Sequence, residues 1–257
     1  MSLFEICGVS QDYGWGPVLQ NINFHLTEGE STGIIGPNGS GKSTLIRVIS
    51  GLLVPSQGEV RFRGKTVHSY RKRELARQIA VLEQEGTAPL PFTVKEVVAM
   101  GRYPWLKPFS ELNRQNDLIV EEVLTTLGLW EIQDQSVNTL SGGQRQLVSL
   151  ARAMAQQPTV LILDEPTTYL DIGHQVLVMQ HVRRWRFKKG ITVIMVLHDL
   201  NLAGQYCDKF LLMEQGHIRA CGNATEVMDQ EIITSVYGTR LIKINHPVLG
   251  VPQFLLA

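Results

Sequence analysis

Three short stretches of this 257-residue chain hold the residue types and spacings that handle phosphate. Gly36-Pro37-Asn38-Gly39-Ser40-Gly41-Lys42-Ser43 matches the pattern G-x-x-x-x-G-K-[ST] in full. Its glycines let backbone N–H groups turn inward onto phosphate oxygens, and a helix starting behind it would present its positive end. Lys42 can reach the β- and γ-phosphates, Ser43 can ligate Mg²⁺, and Thr44 completes the nucleotide-contacting set. Alone, such a loop identifies a nucleotide site but not the use made of it. Val160-Leu161-Ile162-Leu163-Asp164-Glu165 is an apolar run ending in two acids, the form of a buried strand whose tip enters a site. Asp164 would hold the Mg²⁺ shell, and Glu165 would orient or deprotonate a water attacking the γ-phosphate. In isolation an acidic pair at a strand end is more often a solvated turn; the phosphate loop upstream reverses those odds. Leu140-Ser141-Gly142-Gly143-Gln144 opens an amphipathic segment, with Ser141 suited to N-cap it. It is either a plain capped helix or a second anion cradle, formed by Ser141 and the Gly142 and Gly143 amides.

The elements that would carry these residues follow from hydrophobic periodicity. Residues 3 to 26 predict short strands interrupted by the turn-rich Asp12-Tyr13-Gly14-Trp15-Gly16-Pro17, and Ser31 to Ile35 predicts a strand feeding the phosphate loop. Thr44 to Ile49 predicts a helix, Gly58 to Arg63 a strand, Ser69 to Gln78 a basic surface helix and Ile79 to Leu82 a strand. From about residue 87 to 158 helical periods replace strand signals, as in the stripe Ile119, Val120, Val123, Leu124 and Leu127. Val160 to Leu163 and Ile191 to Leu197 are continuous apolar runs suited to a parallel sheet covered on both faces. A turn at Gln215-Gly216, one helix from about Thr225 to Val236 and a strand at Leu241 to Ile244 complete the pattern.

Composition narrows the class of protein. Lys plus Arg and Asp plus Glu number 24 each, so the net charge is zero, with 44 % hydrophobic and 19 % charged residues. That balance disfavours both disorder and a generally basic nucleic-acid binder. Three cysteines at unpatterned spacing fit neither a disulfide framework nor a zinc site and suggest a reducing compartment. The longest aliphatic runs are strand-sized and the start MSLFEICGVS lacks signal-peptide character, so neither membrane crossing nor export is expected.

Taken in order, these residues resemble the ATP-binding subunits of ABC transporters along essentially the whole chain. The matching parts are the phosphate loop, Gln84 after a core strand, the Leu140 to Gln144 signature, the acidic strand end, Leu170-Asp171 and His198. The resemblance implies an α/β fold: a P-loop NTPase core (1–86 and 157–257) with a mostly parallel sheet, an N-terminal antiparallel β edge, and a helical insertion (87–156) carrying the signature. It implies two subunits packed head to tail, the signature of each closing on the ATP held by the loop of the other, which accounts for the second cradle.

The resemblance further implies that Gln84 touches Mg²⁺ and the attacking water, although Glu83 stands where many relatives have Pro. His198 would contact the γ-phosphate. Tyr13 resembles the aromatic that stacks on adenine, with Trp15 as its rival. ATP and Mg²⁺ are the implied cofactors, and the implied partners are a second copy, membrane permease subunits and, indirectly, a substrate-binding protein, with no nucleic acid. Tyr103 and Trp105 are candidate permease contacts. Attachment to the cytoplasmic face of the membrane would come through the permease. The runs Gly101-Arg102-Tyr103-Pro104, Thr167 to Gln175 and His246 to Pro252 look like the branch that imports ferric siderophores, haem and cobalamin. The competing reading is a soluble ABC-type ATPase or a nucleotide-binding module uncoupled from transport. Repair members carry a long coiled coil and translation members two ATPase units in one chain, and neither feature is present.

Overall fold

A computed structural model describes residues 2–83, 91–106 and 114–257. In chain order the elements are β1 (Ser2–Asp12), β2 (Pro17–Thr27), β3 (Ser31–Ile35), α1 (Lys42–Ile49), β4 (Gln57–Phe62), β5 (Lys65–Thr66), α2 (Lys72–Ala76), β6 (Ile79–Leu82), α3 (Val94–Met100) and α4 (Arg114–Thr126). They continue as α5 (Gly142–Ala155), β7 (Val160–Asp164), α6 (Ile172–Lys189), β8 (Thr192–Val196), α7 (Leu200–Tyr206), β9 (Lys209–Glu214), β10 (His217–Gly222), α8 (Ala224–Val227), α9 (Gln230–Tyr237), β11 (Leu241–Asn245) and β12 (Pro252–Leu256). The chain forms two compact units, Met1–Tyr70 with Thr192–Ala257, and Arg71–Ile191.

In the first unit β1 pairs antiparallel with β2 and β4, making the β edge that the N-terminal pattern predicts. Phe4, Ile6 and Val9 of β1 point inward on the buried face, with Phe4 stacked 4.9 Å from Phe62. β3 pairs in parallel with both β8 and β9, and β9 turns back antiparallel into β10 through Gln215-Gly216. All five residues of β3 and of β8 are buried, as strands covered on both faces must be. In the second unit β6 and β7 form another parallel pair, α4 buries Val120, Val123 and Leu124 of the predicted stripe, and α5 buries Leu147, Val148 and Ala151. No helix among the described residues is long and apolar enough to cross a membrane.

Three expectations need correction. The basic helix expected at Ser69 to Gln78 is only Lys72–Ala76, preceded by a 3-10 turn at Val67–Ser69. It buries no side chain, so nothing apolar extends it. The single helix expected from Thr225 to Val236 is two, because Asp229 accepts from the Glu231 and Ile232 amides and starts α9 afresh. The tail is a hairpin: β11 pairs with β12, which the proline- and glycine-rich ending had hidden.

Candidate functional site

The phosphate loop belongs to the first unit and runs from the end of β3 to the start of α1. Gly36 takes φ 145° and Gly41 φ 97°, backbone that a side chain would strain. A Cβ on Gly36 would strike the Met213 carbonyl, and one on Gly41 would come within 2.8 Å of the Val18 carbonyl and of Leu19. Gly39 by contrast faces open space. The loop is thus packed from behind by β9 and β2 and free at its tip. Lys42 is buried, its Nζ donating at 2.8 Å to the carbonyls of both Gly36 and Pro37. α1 has Gly41 as N-cap with no side-chain cap, and no acid in its first turn. Its leading amides, Lys42 to Thr44, therefore lack intrahelical acceptors at the positive end of the helix, where an anion is stabilised. Ser40 Oγ is buried with no hydrogen-bond partner, a donor that a phosphate oxygen would satisfy. These residues fit a nucleotide phosphate chain.

Two further features of the first unit bear on this loop. Parallel pairing of β3 with β8 brings the ends of both strands to one edge, so His198, two residues beyond β8, sits at the edge from which the loop departs. Asp199 fixes the turn behind it by accepting from the Asn201 and Leu202 amides. Tyr13 and Trp15 occupy the β1–β2 turn, which Asp12 Oδ1 holds by accepting from the Gly14 amide at 2.6 Å and the Gly16 amide at 3.3 Å. Trp15 is 88 % exposed and Tyr13 38 %. Sequence reasoning missed Tyr237, at the end of α9, whose hydroxyl accepts from the Gly36 amide at 3.0 Å. Burial pushes that phenol up to about 12. A lone tyrosine two hundred residues downstream offered no spacing signal.

The second unit carries the acidic strand end and the signature. Asp164 is the last residue of β7 and is buried. Glu165 follows at φ 52°, in left-handed backbone, and Thr168 Oγ1 donates to its Oε2 at 3.1 Å. Gln84 lies outside the described residues; Glu83 before it follows β6, which is parallel to β7, so the chain leaves both strands at one edge. Ser141 caps α5 as predicted, in a reciprocal box with Gln144: Oγ accepts from the Gln144 amide at 3.2 Å and Gln144 Oε1 from the Ser141 amide at 2.9 Å. The Gly142 and Gly143 amides remain the helix's outward donors. A Cβ on Gly142 would meet nothing within 4 Å, whereas one on Gly143 would strike the His174 ring. His174 is held in turn by Asp171, which caps α6 and whose carboxyl is drawn below its usual range, first by the His174 amide and then by its ring. Trp105 is held in place, with the guanidinium groups of Arg77 and Arg102 5.0 and 5.3 Å from its ring centroid and its Nε1 donating to Gln156 O, while Tyr103 stays 67 % exposed.

Residues 19–168, from β2 through the acidic strand end, match the ABC transporter family model. The chain belongs to the ABC transporter family. This ABC protein is 40 % identical over 240 residues to the ferric enterobactin transport ATP-binding protein FepC of Escherichia coli (strain K12), covering 93 % of this chain and 89 % of that one. It is 41 % identical over 220 residues to the petrobactin import ATP-binding protein FpuC of Bacillus anthracis, covering 86 % of this chain and 81 % of the relative. Among solved structures it resembles the ATP-binding cassette MJ0796 in a dimeric post-hydrolysis state bound to ADP and Pi, with TM-score 0.75, 28 % identity, and 86 % of this chain and 98 % of that one covered. Its α/β architecture is that of an ABC cassette.

Proposed function

We propose that this ABC protein hydrolyses ATP to drive import of a ferric siderophore through a membrane permease, working as an ATP-sandwich homodimer. The observation that carries the cargo class is the 40 % and 41 % identity to the enterobactin and petrobactin proteins. The loop Gly36 to Ser43 with Thr44 grips the triphosphate, Lys42 exchanging its loop carbonyls for phosphate oxygens. Ser43 and Asp164, with Gln84, are the residues we assign to Mg²⁺, which when bound neutralises charge on the β- and γ-oxygens. Glu165 takes the proton of the attacking water as its oxygen bonds to the γ-phosphorus and the bond to the β–γ bridging oxygen breaks, giving ADP and phosphate. His198 donates to the γ-phosphate oxygens, and Tyr13 stacks on the adenine. Ser141, Gly142, Gly143 and Gln144 complete the pocket of the opposite copy, the amides at the N-terminus of α5 facing its γ-phosphate. Dimer closure follows from ATP bridging the protomers, and opening from its loss. Attachment at the cytoplasmic face is through the permease, with exposed Tyr103 as a contact and a substrate-binding protein delivering cargo from the far side.

Transport assays test this reading. Proteoliposomes holding the chain, its permease and the cargo-loaded binding protein should hydrolyse ATP faster with a ferric siderophore than with haem or cobalamin, and should accumulate the siderophore. Stimulation by haem or cobalamin alone would overturn the cargo assignment.

A further inference from the structure

A cavity of about 250 Å³ lies wholly within the second unit, between the C-terminal halves of α4, α5 and α6. Its walls are apolar, formed by Ile119 and Val123 of α4, Met154 of α5 and Trp185 of α6. Its lining is also cationic, with Arg184, Lys188 and Lys189; among the described lining residues the one acid is Glu122, whose carboxylate is 4.0 Å from Lys188 Nζ. The volume is just under that of small-molecule clefts, roughly 300–1,000 Å³. Some basic charge at the end of α6 is expected from the helix dipole alone. His181 of α6 also lines the cavity and is only 8 % exposed. Burial first, and then the charge of Arg184, lower its pKa and favour the neutral ring. The remaining groups facing it are the cations and the single acid of the lining.

We infer that this cavity binds a small amphipathic carboxylate, its alkyl tail against Val123, Met154 and Trp185 and its head among His181, Arg184 and the two lysines. Charge complementarity selects the head: cations outnumber the one acid, so an anion is attracted, and Glu122 disfavours a head with more than one charge. The apolar walls select the tail, since an inorganic anion would leave them wet. This site is separate from the nucleotide residues and does not depend on their assignment.

Decanoate is the probe. Calorimetric titration of the full chain should show saturable binding of decanoate, about tenfold weaker binding of 1-decanol, and none of decylamine. The double variant Lys188→Glu/Lys189→Glu should weaken decanoate about tenfold or more; because reversing charge in the last turn of α6 also lowers stability, it is titrated well below its melting temperature. Val123→Trp, which fills the cavity, should abolish binding; if it does not fold, the lysine variant decides. Absence of decanoate binding, binding that ignores the lysine reversal, or association only with phosphatidylglycerol vesicles would each overturn the inference.

Discussion

In the site we propose, the Lys42 ammonium is the group on which nucleotide affinity turns. Held by two carbonyls at 2.8 Å, it is desolvated and prepositioned, and its transfer to phosphate replaces neutral acceptors with charged ones. Lys42→Ala should reduce ATP affinity at least tenfold, roughly 1.4 kcal/mol or more, by calorimetry. Tyr237 acts one step back, by holding the Gly36 amide at 3.0 Å. Removing that hydroxyl in Tyr237→Phe should cost about 0.5–1.5 kcal/mol in denaturant unfolding at pH 7. The pH dependence has a definite sign. The folded phenol is raised from 10 to about 12, so the folded state keeps a proton the unfolded chain loses. The stabilisation is fully present below pH 10 and declines as pH rises through about 12. Tyr237→Phe should remove that component of the alkaline decline; an unchanged alkaline profile would show that Tyr237 is not responsible for it.

At the scale of elements, the N-terminus of α5 makes two neighbouring glycines unequal. Gly142 looks into open space and Gly143 lies against His174. Gly142→Ala should shift folding stability by no more than about 0.5 kcal/mol. Gly143→Ala should cost about 1–3 kcal/mol by overpacking, and should also displace His174 from Asp171. Melting curves of the pair check this, and equal melting temperatures would contradict it. What sequence could reveal divides along similar lines. Strands buried on both faces, such as β7 and β8, were legible as continuous apolar runs, and stripes such as that of α4 as a helical period. Ser141 was legible as a cap because its partner Gln144 is three residues away. The break between α8 and α9, and the β11–β12 hairpin, were not, since a mid-segment Asp and a Pro-Gly-rich tail carry no period. Tyr237 on Gly36 and His174 against Gly143 were invisible because they depend on tertiary approach rather than spacing.

At the scale of the whole molecule, one chain presents two cradles for one kind of ligand. The loop before α1 and the Gly142 and Gly143 amides at the head of α5 both suit phosphate in our reading, yet they belong to different units of the fold. The homodimer we propose, in which each copy supplies one cradle to each nucleotide, uses both, and on that proposal removing the Glu165 carboxylate stops turnover. The decisive measurement is light scattering on Glu165→Gln with Mg·ATP. The account predicts a species of twice the monomer mass that forms with ATP, is absent with ADP, and disappears when Ser141→Arg is added to block the second cradle. A protein that stays monomeric with ATP, while binding it tightly and hydrolysing it no faster than background, would contradict the shared site.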